Sequence, residues 1–193
     1  MPTQTTGADT SSYQNDGTVD PSTGDCQGTI YIFNGRGREC RTAGISTTFF
    51  NCCDTDPGSF LFIQNTCGSG DAETVQAAGK GMCHYIGDYC QQKWPLIGCV
   101  QRANTYCCFN SKLGRIIHEQ GRAQLRQFGA GGDWGGAENP NCRGLTPEEF
   151  QMLDFSRIDL SEYFGDIKTK ATSEVQQNMQ RQVSDFYEKV ERK

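Results

Sequence analysis

The sequence predicts an α+β fold, a small disulfide-stapled domain with short strands N-terminally and helices C-terminally. Three observations carry that prediction. All 11 cysteines fall between Cys26 and Cys142, a local density of about 9%, in the range of disulfide scaffolds. Leu, Ile, Val and Phe supply only 34 of the 193 residues, under the roughly one-fifth level at which a chain buries enough apolar surface to fold unaided. From Asp71 onward the pattern changes from β-rich runs and turn signals to the 3.6-residue rhythm of helices. The folded region is therefore expected in an oxidising compartment, as one domain with tails. In the chain-entropy picture each bridge contributes on the order of 3 kcal/mol, so five would offset the thin core.

Residues 1–25 are Thr, Ser, Gly, Asp, Gln and Asn with almost nothing apolar, and read as a disordered polar tail. Residues 26–80 form a cysteine-rich β/loop segment. In it, Thr29 to Phe33 reads as a strand ending at the turn signal Asn34-Gly35, and Ser59 to Gln64 is a second β-rich run. Asp54 to Gly58 between them is turn chemistry. Asp71 to Ala78 reads as a short helix stopped by Gly79 and Gly81, and Met82 to Tyr89 as another. The strongest helical rhythm runs from Thr105 to Phe128, through Phe109, Leu113, Ile116, Ile117, Gln120, Gln124, Leu125 and Phe128. It would place Cys107 and Cys108 in the first turn. Gly114 inside that helix costs about 1 kcal/mol relative to Ala.

A glycine-rich loop, Gly129 to Gly136, ends the run. Thr146-Pro147-Glu148-Glu149 is a helix start, with Thr as N-cap, Pro at the first helical position and acidic groups where the helix dipole favours them. That helix is expected to reach Leu153. A final amphipathic helix from Thr172 to Glu191 puts Val175, Met179, Val183, Phe186 and Val190 on one side. This is a candidate docking face, either onto its own domain or onto another subunit.

Structural zinc sites bring ligands as Cys-x(2-4)-Cys or His-x(3-5)-His pairs. Neither the cysteine spacing from Cys83 through Cys90 and Cys99 to Cys107 nor the distant His84 and His118 fits. No metal or other cofactor is expected, and His118 reads as a polar position on an amphipathic helix. The Gly129 to Gly136 loop lacks the Gly-Lys-Ser/Thr of a phosphate loop. Ser111-Lys112 has none of the motifs that accompany a Ser/Lys enzyme. Carboxylates at Glu148, Glu149, Asp154, Asp159 and Glu162 are the one grouping suited to acid/base work, and define a secreted-hydrolase alternative. Adjacent cysteines, Cys52-Cys53 and Cys107-Cys108, read as nodes that reach two partners each, since a vicinal bridge strains its peptide. A net charge of -5 argues against nucleic acid as a partner. The longest apolar run, Phe60 to Ile63, is far too short to span a bilayer, so membrane association is expected through partners.

One stretch is distinctive beyond composition. Residues 81–90 (GMCHYIGDYC), Cys99, residues 106–125 (YCCFNSKLGRIIHEQGRAQL), residues 140–150 (PNCRGLTPEEF) and residues 153–162 (LDFSRIDLSE) occur in this order. Together they resemble the C-terminal cysteine-rich region of TraN, the mating-pair stabilisation family of F-type conjugation systems. The resemblance implies a helical cysteine-rich region over 81–166, followed by the amphipathic helix in 167–193. It implies a non-catalytic scaffold or adhesion component of a conjugative apparatus, at the periplasm, outer membrane or cell surface of a donor bacterium. Implied partners are other mating-pair formation proteins and a recipient outer-membrane protein. By the same resemblance, Cys83, Cys90, Cys99, Cys107, Cys108 and Cys142 belong to the disulfide framework, which Cys40, Cys52, Cys53 and Cys67 complete. The alternatives are the hydrolase above and a secreted inhibitor or toxin-like binding module. Met1 to Gly7 lacks the basic start and apolar run of an export signal. With an odd cysteine count, the expectation is that Cys26 is unpaired, its partner lying upstream in a longer relative.

Overall fold

The computed structural model describes residues 18–19, 22–24, 26–43, 51–54, 67–129 and 131–191. They fall into two compact units, residues 1–158 and 159–193. The first opens on a two-residue antiparallel pair, β1 (Thr18–Val19) with β2 (Cys26–Gln27). Its frame is a three-stranded antiparallel sheet of β3 (Arg36–Ala43), β4 (Cys83–Trp94) and β5 (Gly98–Cys108), in the order β3-β5-β4. Helix α1 (Ser69–Gly79) precedes the β4–β5 hairpin and α2 (Lys112–Gly121) follows it. Two short 3-10 turns, Arg122–Gln124 and Arg126–Phe128, continue α2. A one-turn helix α3 (Pro147–Gln151) and a further 3-10 turn, Phe155–Arg157, close the unit.

The central strand explains the sheet. On β5, Ala103, Thr105 and Cys107 are fully buried, a period-2 alternation in which one face of a strand meets the core. The residues from Thr105 to Cys108 thus end a strand, where the helical rhythm had been extended across them. The expected helix over Met82 to Tyr89 is likewise strand β4, so the cysteine-rich region opens with a hairpin before any helix. Aromatic and β-branched residues populate both strands, and their pairing runs from Cys83 opposite Cys108 to Trp94 opposite Gly98, with bulges near Ile86 and Gln91.

Helix α1, close to its expected limits, is tied to β3 by polar bonds. Asp71 accepts from the backbone N–H groups of Gly68 and Arg41, each at 2.9 Å, and receives the Arg41 guanidinium. Thr74 donates to the Glu39 carbonyl at 2.9 Å. Beneath these bonds Val75 packs on Cys40, with Cys53, Cys67, Ala72 and Tyr106 around them.

The expected strand Thr29 to Phe33 is reduced to a single bridge. Ile32 exchanges backbone hydrogen bonds with Leu145 at 2.7 and 3.0 Å, and Gly35 donates to the Cys142 carbonyl. Asn34 uses its side chain to accept from Gly144 N–H at 2.9 Å instead of turning a hairpin. The partner is more than a hundred residues away in sequence, so local turn chemistry gave the wrong connection. The second β-rich run, Ser59 to Gln64, and most of the turn before it lie outside the described residues, as does nearly all of the tail.

Gly114 has a packing reason. A Cβ there would stand 3.2 Å from the Phe33 ring, so the helix gives up propensity for close approach. Helix α2 starts at Ser111, whose hydroxyl accepts from Gly114 N–H at 3.0 Å. Helix α3 carries the full capping box of Thr146 and Glu149, and ends at Gln151, short of Leu153. The second unit is α4 (Ser161–Glu191), which begins at Ser161 and not Thr172 because Asp159 accepts from Ser161 N–H at 2.9 Å and caps the helix earlier.

Candidate functional site

Five disulfides join Cys40 to Cys53, Cys52 to Cys67, Cys83 to Cys108, Cys90 to Cys99 and Cys107 to Cys142. Each doublet divides between two partners. On β5 adjacent side chains point to opposite faces, so Cys108 bridges to Cys83 directly across the hairpin while Cys107 reaches down to Cys142 in the loop before α3. Cys26 lies on β2, and its thiol is outside the described side chains.

Around the Cys107–Cys142 bridge the residues converge on a buried cation. Arg122, at the end of α2, has no solvent exposure. It donates to the carbonyls of Asn141 at 2.7 Å, Arg143 at 2.6 Å and Asp133 at 3.2 Å, and through Nε to His118 Nδ1 at 2.9 Å. Its guanidinium lies 4.0 Å from the centroid of the Trp134 ring and 4.5 Å from that of Phe128. Burial, and then repulsion from Arg143, push Arg122 down to about 9, against the attraction of Asp133 and Glu149, so it remains charged at neutral pH, bonded directly to carbonyl dipoles.

His118 is equally buried, correcting its expected place on the polar side of the helix. Its Nε2–H donates to the Phe33 carbonyl at 3.0 Å. A guanidinium can only donate, so Nδ1 must be the bare acceptor and the neutral tautomer is set by its partners. Burial first, and the Arg122 charge second, push it down to about 3. It also stacks on Phe109, centroids 4.5 Å apart.

A second, half-exposed group also meets Trp134. His84 of β4 stacks on the indole at 4.0 Å and meets Glu119 of α2 through Nδ1 at 2.8 Å. Arg115 clamps the same carboxylate at 2.5 Å and donates to the Gly81 carbonyl at 2.6 Å. Trp134 of the glycine-rich loop is thereby held by His84 as well as by Arg122. Sequence reasoning missed this assembly. The i, i+4 spacing of His118 and Arg122, and of Arg115 and Glu119, was the available signal.

The acidic segment is occupied in local structure. Glu149 caps α3 and forms a two-pronged pair with Arg143 at 2.7 and 2.8 Å, and the Arg143 hydrogen bonds hold it below the usual carboxylate range. Asp154 accepts from Ser156 hydroxyl and N–H, which lower it, and Asp159 is lowered by the Ser161 N–H. A general acid needs the opposite shift. A groove of about 520 Å³ between β3 and α1 is lined by Arg36, Arg38, Glu73 and Lys80, among others, and by none of these carboxylates. Among the described residues one group of three ligand atoms converges, on Cys52, Cys67 and Asp71. The two sulfurs are bonded to each other and Asp71 is held by Arg41, so its donors are spent. On α4, Val175 and Met179 are 57% and 61% exposed. The side chains of Val183, Phe186 and Val190 lie outside the described residues.

What the fold and these clusters define is a disulfide-stapled α+β module whose buried Arg122 and His118 bond to each other and to its own backbone. Residues 14–146 match the family model described as F-type Type IV secretion system, TraN, and the chain belongs to that family. It is similar to the mating pair stabilization protein TraN of Escherichia coli (strain K12), 30% identical over 141 residues, which cover 72% of this chain and 22% of that protein. The chain thus spans about a fifth of that relative's length. No solved structure matches it. The matched span reaches further towards the N-terminus than the resemblance noted above, and stops before α4. No helix among the described residues is long and apolar enough to cross a membrane.

Proposed function

We propose that the chain is a non-catalytic scaffold and adhesion module of a conjugative transfer apparatus, stabilising donor–recipient contact by protein–protein binding at the outer membrane. Family membership carries the reading. The five bridges support a location in an oxidising, extracytoplasmic compartment. Its partners are other mating-pair formation proteins and a recipient outer-membrane protein. Helix α4 would dock on one of them through Val175, Met179, Val183, Phe186 and Val190. The hydrolase alternative loses ground because Glu149, Asp154 and Asp159 are spent on caps and an ion pair. Cys26, left over from ten bridged cysteines, is taken as the unpaired thiol. Thiol labelling and mass spectrometry of the native chain would place the label on Cys26, and a label on any of the other ten would overturn that.

The function is tested by mating donors that carry the gene, lack it, or carry it with Val175 and Met179 changed to Glu. Shaken liquid stresses cell contacts and a filter does not. The deletion should depress transfer in liquid more than on a filter, and the face variant should follow it. Equal loss in both settings would point to a role in transfer other than holding cells together.

A further inference from the structure

The distal half of the β4–β5 hairpin makes an apolar point. Every residue from Gln91 to Gly98 is exposed, and the turn carries Trp94 at 52%, Leu96 at 107% and Ile97 at 56% exposure. Cys90–Cys99 braces the strands just below it. Leu96 stands at φ 71, in the left-handed region that Gly or Asn ordinarily occupies. A leucine there works against the local backbone and, fully exposed, returns nothing to the core. Such a conflict between local preference and residue choice points to a contact outside the fold.

We propose that this tip inserts shallowly into the surface of an anionic phospholipid bilayer. Three observations choose lipid over a protein groove. Even at the roughly 250 Å² that a large aromatic buries, three side chains stay short of the ~800 Å² per partner that a specific protein interface needs. The charge fits: between Tyr89 and Asn104 there is no carboxylate, Arg102 is held by Asp88, the Glu39 carboxylate that accepts from Gln91 is buried, and Lys93 beside Trp94 is the exposed charge of the turn. The apolar surface is confined to the turn, since Gln91, Gln92 and Gln101 follow on the strands. Entry therefore stops at the headgroup level, where an indole and a lysine are most at home. The disulfide presents this point pre-ordered, so little chain entropy is lost on contact.

The test uses the oxidised 193-residue chain and vesicles of phosphatidylethanolamine with phosphatidylglycerol, followed by flotation. The chain should float with them and Trp94 emission should shift to the blue, a shift lost in Trp94→Phe. Leu96→Glu should lower partitioning at least about tenfold, given the burial energy of a leucine side chain. Ile97→Glu should do the same, and serves if the first variant does not fold. Lys93→Gln should cost about fivefold on these vesicles and nothing on pure phosphatidylcholine. Absence of flotation, or flotation unchanged in both Glu variants, overturns the proposal. So does self-association of the chain that Leu96→Glu dissolves, which would make a second copy the occupant.

Discussion

The two ends of one hairpin differ in almost everything but their pairing. At its base, Cys83–Cys108 and Cys107–Cys142 meet a buried arginine, a buried neutral histidine and three aromatic rings. At its tip, a single bridge holds a strained turn whose large side chains face solvent. The same strands thus supply stability at one end and a contact surface at the other, and substitutions at the two ends should separate into those two classes.

The sharpest way to break the comparison is at Arg122. Arg122→Met removes the donor to three backbone carbonyls and to the buried His118, and should destabilise the protein by about 3–5 kcal/mol in denaturant unfolding. A loss no larger than at the tip would dissolve the distinction. Next come the bridges. Replacing Cys107 and Cys142 by Ala opens a loop with a sequence separation of 35 and should cost about 4 kcal/mol, against about 3 kcal/mol for Cys90 and Cys99, whose separation is 9. The reverse order in paired melts would mean that strain or residual unfolded structure outweighs loop closure.

Of the two ends of the hairpin, acid should act at the base. Folded His118 stays neutral down to about 3, whereas an unfolded imidazole takes its proton near 6.5. The unfolded chain binds more protons over that window, so stability falls as pH drops from about 6.5 towards 3. Glu149, held low by Arg143, acts in the same direction: its contribution is complete above the unfolded carboxylate pKa and disappears as pH falls through its folded value. Urea unfolding at about pH 7 and about pH 4 measures the sum, and His118→Gln should flatten the difference. The smallest effect is expected at the turn. Leu96→Asn should change stability by less than about 0.5 kcal/mol, and in the stabilising direction, because Asn tolerates positive φ. A marked loss would show that Leu96 supports the fold after all.

How much of this was legible follows from where each signal lies. Helix α1 and the start of α3 at Thr146 were readable because their hydrogen bonds close within four residues, whereas the Ser111 cap of α2 lay hidden inside the longer helical rhythm. Strand β5 was misread as the opening of a helix because Phe109 to Phe128 imposes a strong rhythm, and Ala103, Thr105 and Cys107 are small or polar and give a weak alternation. The bridge from Ile32 to Leu145 had no local trace. His118 looked like a surface residue because its partners, Phe33 and the 133–143 loop, come from both directions along the chain.

The amino-acid order alone determined that this chain is rich in cysteine and thin in large apolar residues, a composition that fits an oxidising compartment, that it mixes strands with helices, and which family it resembles. Those properties are sums over composition and short motifs. Which sulfurs pair, which charges are buried and which end of the hairpin faces outward were decided by the tertiary structure. Each depends on residues far apart in sequence meeting in space, and the energy of burying Arg122 or exposing Leu96 exists only once those neighbours are in place.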